Sequence, residues 1–275
     1  MRYTALILTH NRLGSLQRCL AKIRAGAHFQ DYEIVVVNNG SQDGTSEYLD
    51  QLASVKSSPR LRAVHRPENE GVCARNHGIE IAQGDIIIQV DDDVLVTPGF
   101  DKELLEPYSR PDVGATGPHG FYQDSTWGLL IDDRRRPQPG QYADLVMGFC
   151  WSWQNIRASN DRAVRLDGAA AIEIPGPSRF LYDWDFSPFW HEESDLQCQI
   201  RAAGYRLMVT RPVAVHQTKH DWRETMADGP RTGLTIAAVN FFKLKDKWEK
   251  KDIFFEGPKV GLHGPAPGGP ARRPS

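Results

Sequence analysis

Three short runs of mainly branched aliphatic residues constrain this chain most: TALIL at 4–8, EIVVV at 33–37 and DIIIQV at 85–90. Each is apolar nearly throughout rather than alternating, the pattern of a strand covered on both faces. Between them lie stretches with apolar residues at helical spacing, 13–25, 45–53 and 71–82, and a further short strand at 61–65. Strands and helices in strict alternation predict an α/β domain with a mainly parallel central sheet flanked by helices. Right-handed crossovers then bring the C-terminal ends of the strands to one edge, where such sheets bind ligands.

The remainder is less regular. Residues 99–167 are rich in Pro, Gly and aromatics, with little period. A strand at 169–174, a helix at 192–203 closed by Gly204, strands at 205–209 and 213–216, and a lysine-ended helix at 232–248 follow. The Pro/Gly-rich tail from 257 has the composition of a disordered segment. Four units result: 1–97, 98–221, a helical extension at 222–256, and the tail 257–275.

Bulk properties exclude several classes. A net charge of −2 supplies no general field for a nucleic-acid backbone. The Arg134–Arg136 triplet sits among Asp132, Asp133 and prolines and reads as a solvated loop. Cys19, Cys73, Cys150 and Cys198 form no CxxC pair, so buried free thiols in a reducing compartment are expected. No run reaches the ~20 apolar residues of a membrane span, and the N-terminal run is too short for a signal peptide, so the expected location is cytoplasmic.

The chemistry-bearing residues gather at predicted strand ends. Asp91-Asp92-Asp93 follows the apolar strand directly, and in an extended chain Asp91 and Asp93 face one side and Asp92 the other. Adjacent carboxylates repel, and a hard divalent ion bound through oxygen ligands and diphosphate relieves that; a solvated acidic turn is the alternative. Thr9-His10-Asn11-Arg12 follows the first strand and Asn38-Asn39-Gly40-Ser41 the second. These donors and acceptors suit a nucleobase and ribose, although Asn is also an ordinary turn former. Asn69-Glu70-Gly71 leads into Arg75-Asn76, where Arg75 either faces a phosphate or base or joins a surface ion pair.

Taken in order, TALILTHNR, EIVVVNNGSQDGT, PENEGVCARNHGI and AQGDIIIQVDDD resemble the nucleotide-binding half of family 2 glycosyltransferases, which have the GT-A fold. The similarity is close over 3–97 and resumes over 168–216. It implies that Thr9, Asn11, Arg12, Asn38, Gly71, Arg75, Asn76, Asp91 and Asp92 line the nucleotide site, and that Asp93 and His216 hold Mn²⁺ or Mg²⁺. The family usually has Asp where this chain has Asn38. An amide oxygen still accepts from a uracil imide N–H without bringing charge, which leaves a thymidine donor open.

The same resemblance places the reaction in the second half. His191-Glu192-Glu193-Ser194-Asp195-Leu196 matches the family's EDxxL segment, which implies Glu193 as general base, with Glu192 second. Acidic residues in a first helical turn are equally good capping. Gly168 and Ala169 resemble the small-residue segment that admits sugar or acceptor. Trp190, with Trp151, Trp153 and Trp184, is either an acceptor platform or core. The expected function is inverting, metal-dependent transfer of N-acetylglucosamine or glucose from a UDP-sugar to a soluble acceptor, such as a small molecule of secondary metabolism. The alternatives are polysaccharide or glycolipid assembly, a nucleotidyltransferase, and a non-catalytic nucleotide-sugar binder. Oligomeric state is left open.

Overall fold

The structure, a computed structural model, describes residues 2–55, 58–123, 129–130, 136–155, 163–167, 170–174, 179–217, 230–251 and 253. Its first half follows the expected alternation: β1 Tyr3–Thr9, α1 Leu13–Gly26, β2 Tyr32–Asn39, α2 Thr45–Ser54, β3 Arg60–Arg66, α3 Arg75–Ile81, β4 Ile86–Val90 and β5 Val94–Val96. Next come α4 Phe100–Leu105, β6 Val113–Gly117, β7 Gly120–Gln123, β8 Leu129–Leu130, β9 Tyr142–Ala143, β10 Leu145–Val146 and β11 Cys150–Gln154. The last elements are β12 Ala163–Asp167, β13 Ala170–Ile174, α5 Glu192–Ala202, β14 Arg206–Val209, β15 Ala214–His216 and α6 Pro230–Trp248.

Eight strands form one sheet in the order β3-β2-β1-β4-β11-β6-β14-β9. The four strands nearest the N-terminus are mutually parallel, with Thr9 opposite Asn38 and Asn38 opposite His65, so their C-terminal tips lie level. Alternate residues of each run serve opposite faces, as strand geometry requires. Ala5, Ile7, Ile34, Val36, Ile86 and Ile88 share one core with Leu16, Leu20 and Ile23 of α1. Leu6, Val35, Val37 and Ile87 share the other with Ile79 of α3 and Leu196 and Ile200 of α5. Two cores explain why these runs are apolar without alternation.

The irregular middle contains a central strand that the sequence reading did not expect. β11 runs antiparallel between β4 and β6, burying Trp151 and Trp153 completely or nearly so. Two of the four candidate tryptophans are therefore core, while Trp184 and Trp190 are 45% and 38% exposed. The helix expected from residue 71 starts with a 3₁₀ turn, Val72–Ala74, before α3. All four cysteines are buried and free, as expected. Gly168, Ala169 and the tail from 257 lie outside the described residues.

Candidate active site

β4 ends at Val90, and the chain turns at once, with Val94 N–H donating to Asp91 O at 3.0 Å. The acidic triplet is therefore a tight turn and not the extended segment the sequence suggested, and the expected alternation of its side chains is lost. Asp92 and Asp93 both reach Arg12, at 3.2 and 3.1 Å, while Thr9 Oγ1 donates to Asp92 at 2.7 Å. Asp91 takes a separate cation, Arg75, at 2.9 Å. Burial, with Glu193, Asp93 and Asp92 nearby, raises Asp91 above the usual carboxylate range, although Arg75 pulls it down.

The turn feeds β5, which pairs with β15 so that Val94 lies opposite His216. That register sets His216 Nδ1 at 3.6 Å from Asp93 Oδ1. Hydrogen bonding to Asp93 raises the imidazole above its ordinary value. Among the described residues no group of three or more His, Cys, Asp or Glu side chains could hold a metal ion by itself. Two protein donors at one solvent-facing point are still what Mg²⁺ or Mn²⁺ needs when diphosphate oxygens and waters complete its shell. Asp93 and His216 thus fit such an ion.

At the neighbouring tip Asn38 is buried and held by three hydrogen bonds. Its Nδ2 donates to Ser46 Oγ at 2.8 Å and pairs with His65 Nδ1 at 3.2 Å, while Oδ1 accepts from Ser41 N–H at 3.2 Å. The second lone pair of Oδ1 is its remaining capacity. Asn11, at φ 52°, accepts from Gln42 N–H at 2.7 Å, tying the first tip to the second. Gly71 has φ 77°, and an added Cβ would come within 2.9 Å of Pro188, so a side chain there is excluded on two grounds. Asn76 clamps the backbone of Tyr182 from both amide atoms, at 2.8 and 2.9 Å, and so serves the fold directly. Arg75 is buried, and its Nε and Nη1 have no hydrogen-bond partner among the described residues. A buried guanidinium with unused N–H groups suits phosphate or sugar oxygen.

The catalytic carboxylates expected from the sequence open α5, beside Arg75. Glu192 is 7% exposed, and its Oε2 has no partner among the described residues. Burial first, and Glu193 second, push it well above the carboxylate range, so it resists ionisation. Glu193 differs: its Oε1 accepts from Gln89 Nε2 at 2.8 Å. Gln89 Nε2 also donates to Gly148 O at 2.7 Å, and its Oε1 accepts from the Tyr182 hydroxyl. Burial raises Tyr182 far above its normal value, so it stays protonated and donates. The Gln89 amide is consequently locked with its N–H toward Glu193. Sequence reasoning passed over Gln89, though a lone amide in IIIQV was a visible signal, since a buried polar group needs partners. Gly148 was passed over too, with no local signal; Glu193 fills the space where its Cβ would stand. Trp190 sits just before α5 with φ 75°.

A family model described as glycosyl transferase family 2 matches residues 4–161, more than half of the chain. The chain belongs to glycosyl transferase family 2. The Bacillus subtilis protein EpsH is 32% identical over 101 residues, which is 36% of this chain and 28% of EpsH, so the match spans well under a third of that relative. Among solved structures, the mannosyltransferase PcManGT from Pyrobaculum calidifontis, in complex with GDP-Man and Mn²⁺, superposes at a TM-score of 0.62 with 16% identity, over 94% of this chain and 66% of that one. GalNAc-T7 with UDP, GalNAc and Mn²⁺ superposes at 0.66 with 15% identity, over 91% of this chain and 48% of that one. The fold is GT-A, as the motifs implied. No helix among the described residues is long and apolar enough to cross a membrane.

Proposed function

We propose that this protein transfers a hexosyl group, glucose or N-acetylglucosamine, from a UDP-sugar to a hydroxyl of a soluble acceptor, with inversion and with Mn²⁺ or Mg²⁺. The observation that carries this reading is the meeting of Asp93 and His216 at 3.6 Å on the edge that also presents Asn38, Arg75 and Glu193. Asp93 and His216 hold the cation, which would supply positive charge against the departing diphosphate. Asn38 offers an acceptor lone pair to a base carrying a ring N–H, as uracil does. Arg75 turns its unused N–H groups to diphosphate or sugar oxygens. Glu193 takes the acceptor proton while the acceptor oxygen bonds to the anomeric carbon and the bond to diphosphate breaks on the opposite face. Glu192, which resists ionisation, acts beside it as a donor of a hydrogen bond. The solved GT-A neighbours hold Mn²⁺ with GDP-Man or with UDP, which supports the cation and leaves the base to Asn38.

Thermal unfolding with UDP, dTDP and GDP, each with and without Mn²⁺, tests the donor. UDP with Mn²⁺ at about 100 times its Kd should stabilise by about 2.7 kcal/mol. Glu193→Gln should keep that stabilisation and lose about 10²–10⁴-fold in transfer. The reading fails if no nucleotide stabilises the protein with Mn²⁺, or if both Glu193→Gln and Glu192→Gln keep transfer.

A further inference from the structure

α5 is entered through two consecutive left-handed residues, Trp190 at φ 75° and His191 at φ 66°. Residues bearing a Cβ do not favour that conformation, and such a turn persists only where its surroundings hold it. The holding group lies on α6, outside the segment matched by the family model. Asn240 is 2% exposed, and its Nδ2 donates to the carbonyl oxygens of Phe186, Phe189 and Trp190 at 3.0, 2.9 and 3.1 Å. One NH₂ group facing three carbonyls spends both hydrogens, so the side chain can point only one way.

The opposite side of the same strap is fixed to the donor-side loop. Val72 N–H donates to Pro188 O at 2.9 Å, and Ser187 Oγ donates to Glu70 O at 3.2 Å. About two helical turns further on, α6 also grips α5 itself. Trp248 Nε1 donates to Asp195 at 2.6 Å, and Lys247 bridges Asp195 and Asp183. Asp195 stands two residues after Glu193. The start of α5 is thus stretched between the loop at Gly71 and the helix α6.

We propose that Asn240 is a positioning residue for Glu193: by clamping the carbonyls of Phe189 and Trp190 it sets where α5 begins, and with it the direction from which the carboxylate meets the acceptor. This rests on Glu193 being the general base. Asn240 touches no reacting group, so its removal acts on kcat and spares donor binding. Asn240→Asp keeps the shape and replaces the donors by acceptors facing three carbonyls; Asn240→Ala removes them without charge.

The test uses the full chain, with UDP release from UDP-glucose or UDP-N-acetylglucosamine, water taking the hexosyl group as acceptor, as turnover and calorimetric titration of UDP in Mn²⁺ as binding. In at least one Asn240 variant kcat should fall about 10- to 100-fold, with the Kd for UDP unchanged. Val239→Ala, on the exposed face of the same helix, should behave as wild type. Wild-type turnover in both Asn240 variants overturns the proposal. So does a fall in kcat matched by weaker UDP binding and lower thermal stability, or loss of folding in both, since either makes Asn240 a purely structural residue. Retained turnover in Glu193→Gln overturns instead the base assignment beneath it, whatever Asn240 does.

Discussion

Gly148→Ala separates catalysis from stability more sharply than removal of any carboxylate. An ideal Cβ at Gly148 would lie 1.4 Å from Glu193 Oε2 and 1.9 Å from its Cδ. Ordinary contact begins near 3.5 Å, so the carboxylate has to retreat by about 2 Å. The retreat breaks the 2.8 Å bond from Gln89. Gly148 is not among the residues of positive φ, so its backbone accepts alanine. Loss of one hydrogen bond costs about 1 kcal/mol, and a compatible Gly→Ala change returns about 0.4–1 kcal/mol through the unfolded chain. The net effect on stability is near zero, a shift of at most a few degrees in Tm. Turnover behaves otherwise. A displacement of about 1 Å can lower a rate about 10²-fold, and the whole general-base contribution is about 10²–10⁴-fold. The expected fall in kcat is therefore about 10²–10⁴-fold, or about 2.7–5.5 kcal/mol of activation free energy. UDP release under saturating donor gives kcat, a melt gives Tm, and a UDP–Mn²⁺ titration shows the donor site intact. Near wild-type turnover would refute the reasoning, because the base would then work from a place it cannot occupy.

Gln89→Leu leaves Glu193, the Gly148 carbonyl and the Tyr182 hydroxyl without their shared buried partner; denaturant unfolding should show a loss of about 1–3 kcal/mol or more, together with lower kcat. Glu192 has a folded-state value raised above its unfolded one, so its contribution is full below the unfolded value and is lost as pH rises through the raised one. Glu192→Gln should therefore gain stability relative to wild type as pH climbs from about 5 to about 9, and melts showing the reverse trend would remove the buried-carboxyl argument. Asp93→Asn should abolish the Mn²⁺-dependent part of the UDP thermal shift while leaving any metal-free part, and a chelator should reproduce that in the wild type; an undiminished Mn²⁺ effect would place the ion elsewhere.

What the sequence determined alone is local in origin. TALIL, EIVVV and IIIQV announce strands buried on both sides because each residue of a short apolar run must meet a core, whichever face it serves. Parallel order follows from the helical stretches between them, and the level tips place Thr9, Asn38 and the acidic triplet on one edge. Period and strand order therefore sufficed to bring these tips together. β11 escaped because its Trp-Ser-Trp alternation spans only five residues inside a stretch rich in Pro, Gly and aromatics, too short to stand out. The triplet's geometry escaped because a turn, set by the pairing of β5 with β15, replaces the extended chain. Gln89 with Glu193, Gly148 with Glu193, and Asn240 with Trp190 are separated by 104, 45 and 50 residues in the chain. No local rule links residues so far apart. Only packing α5 against the finished sheet, and α6 against α5, decides which polar groups share a buried space, and there each unpaired one is penalised.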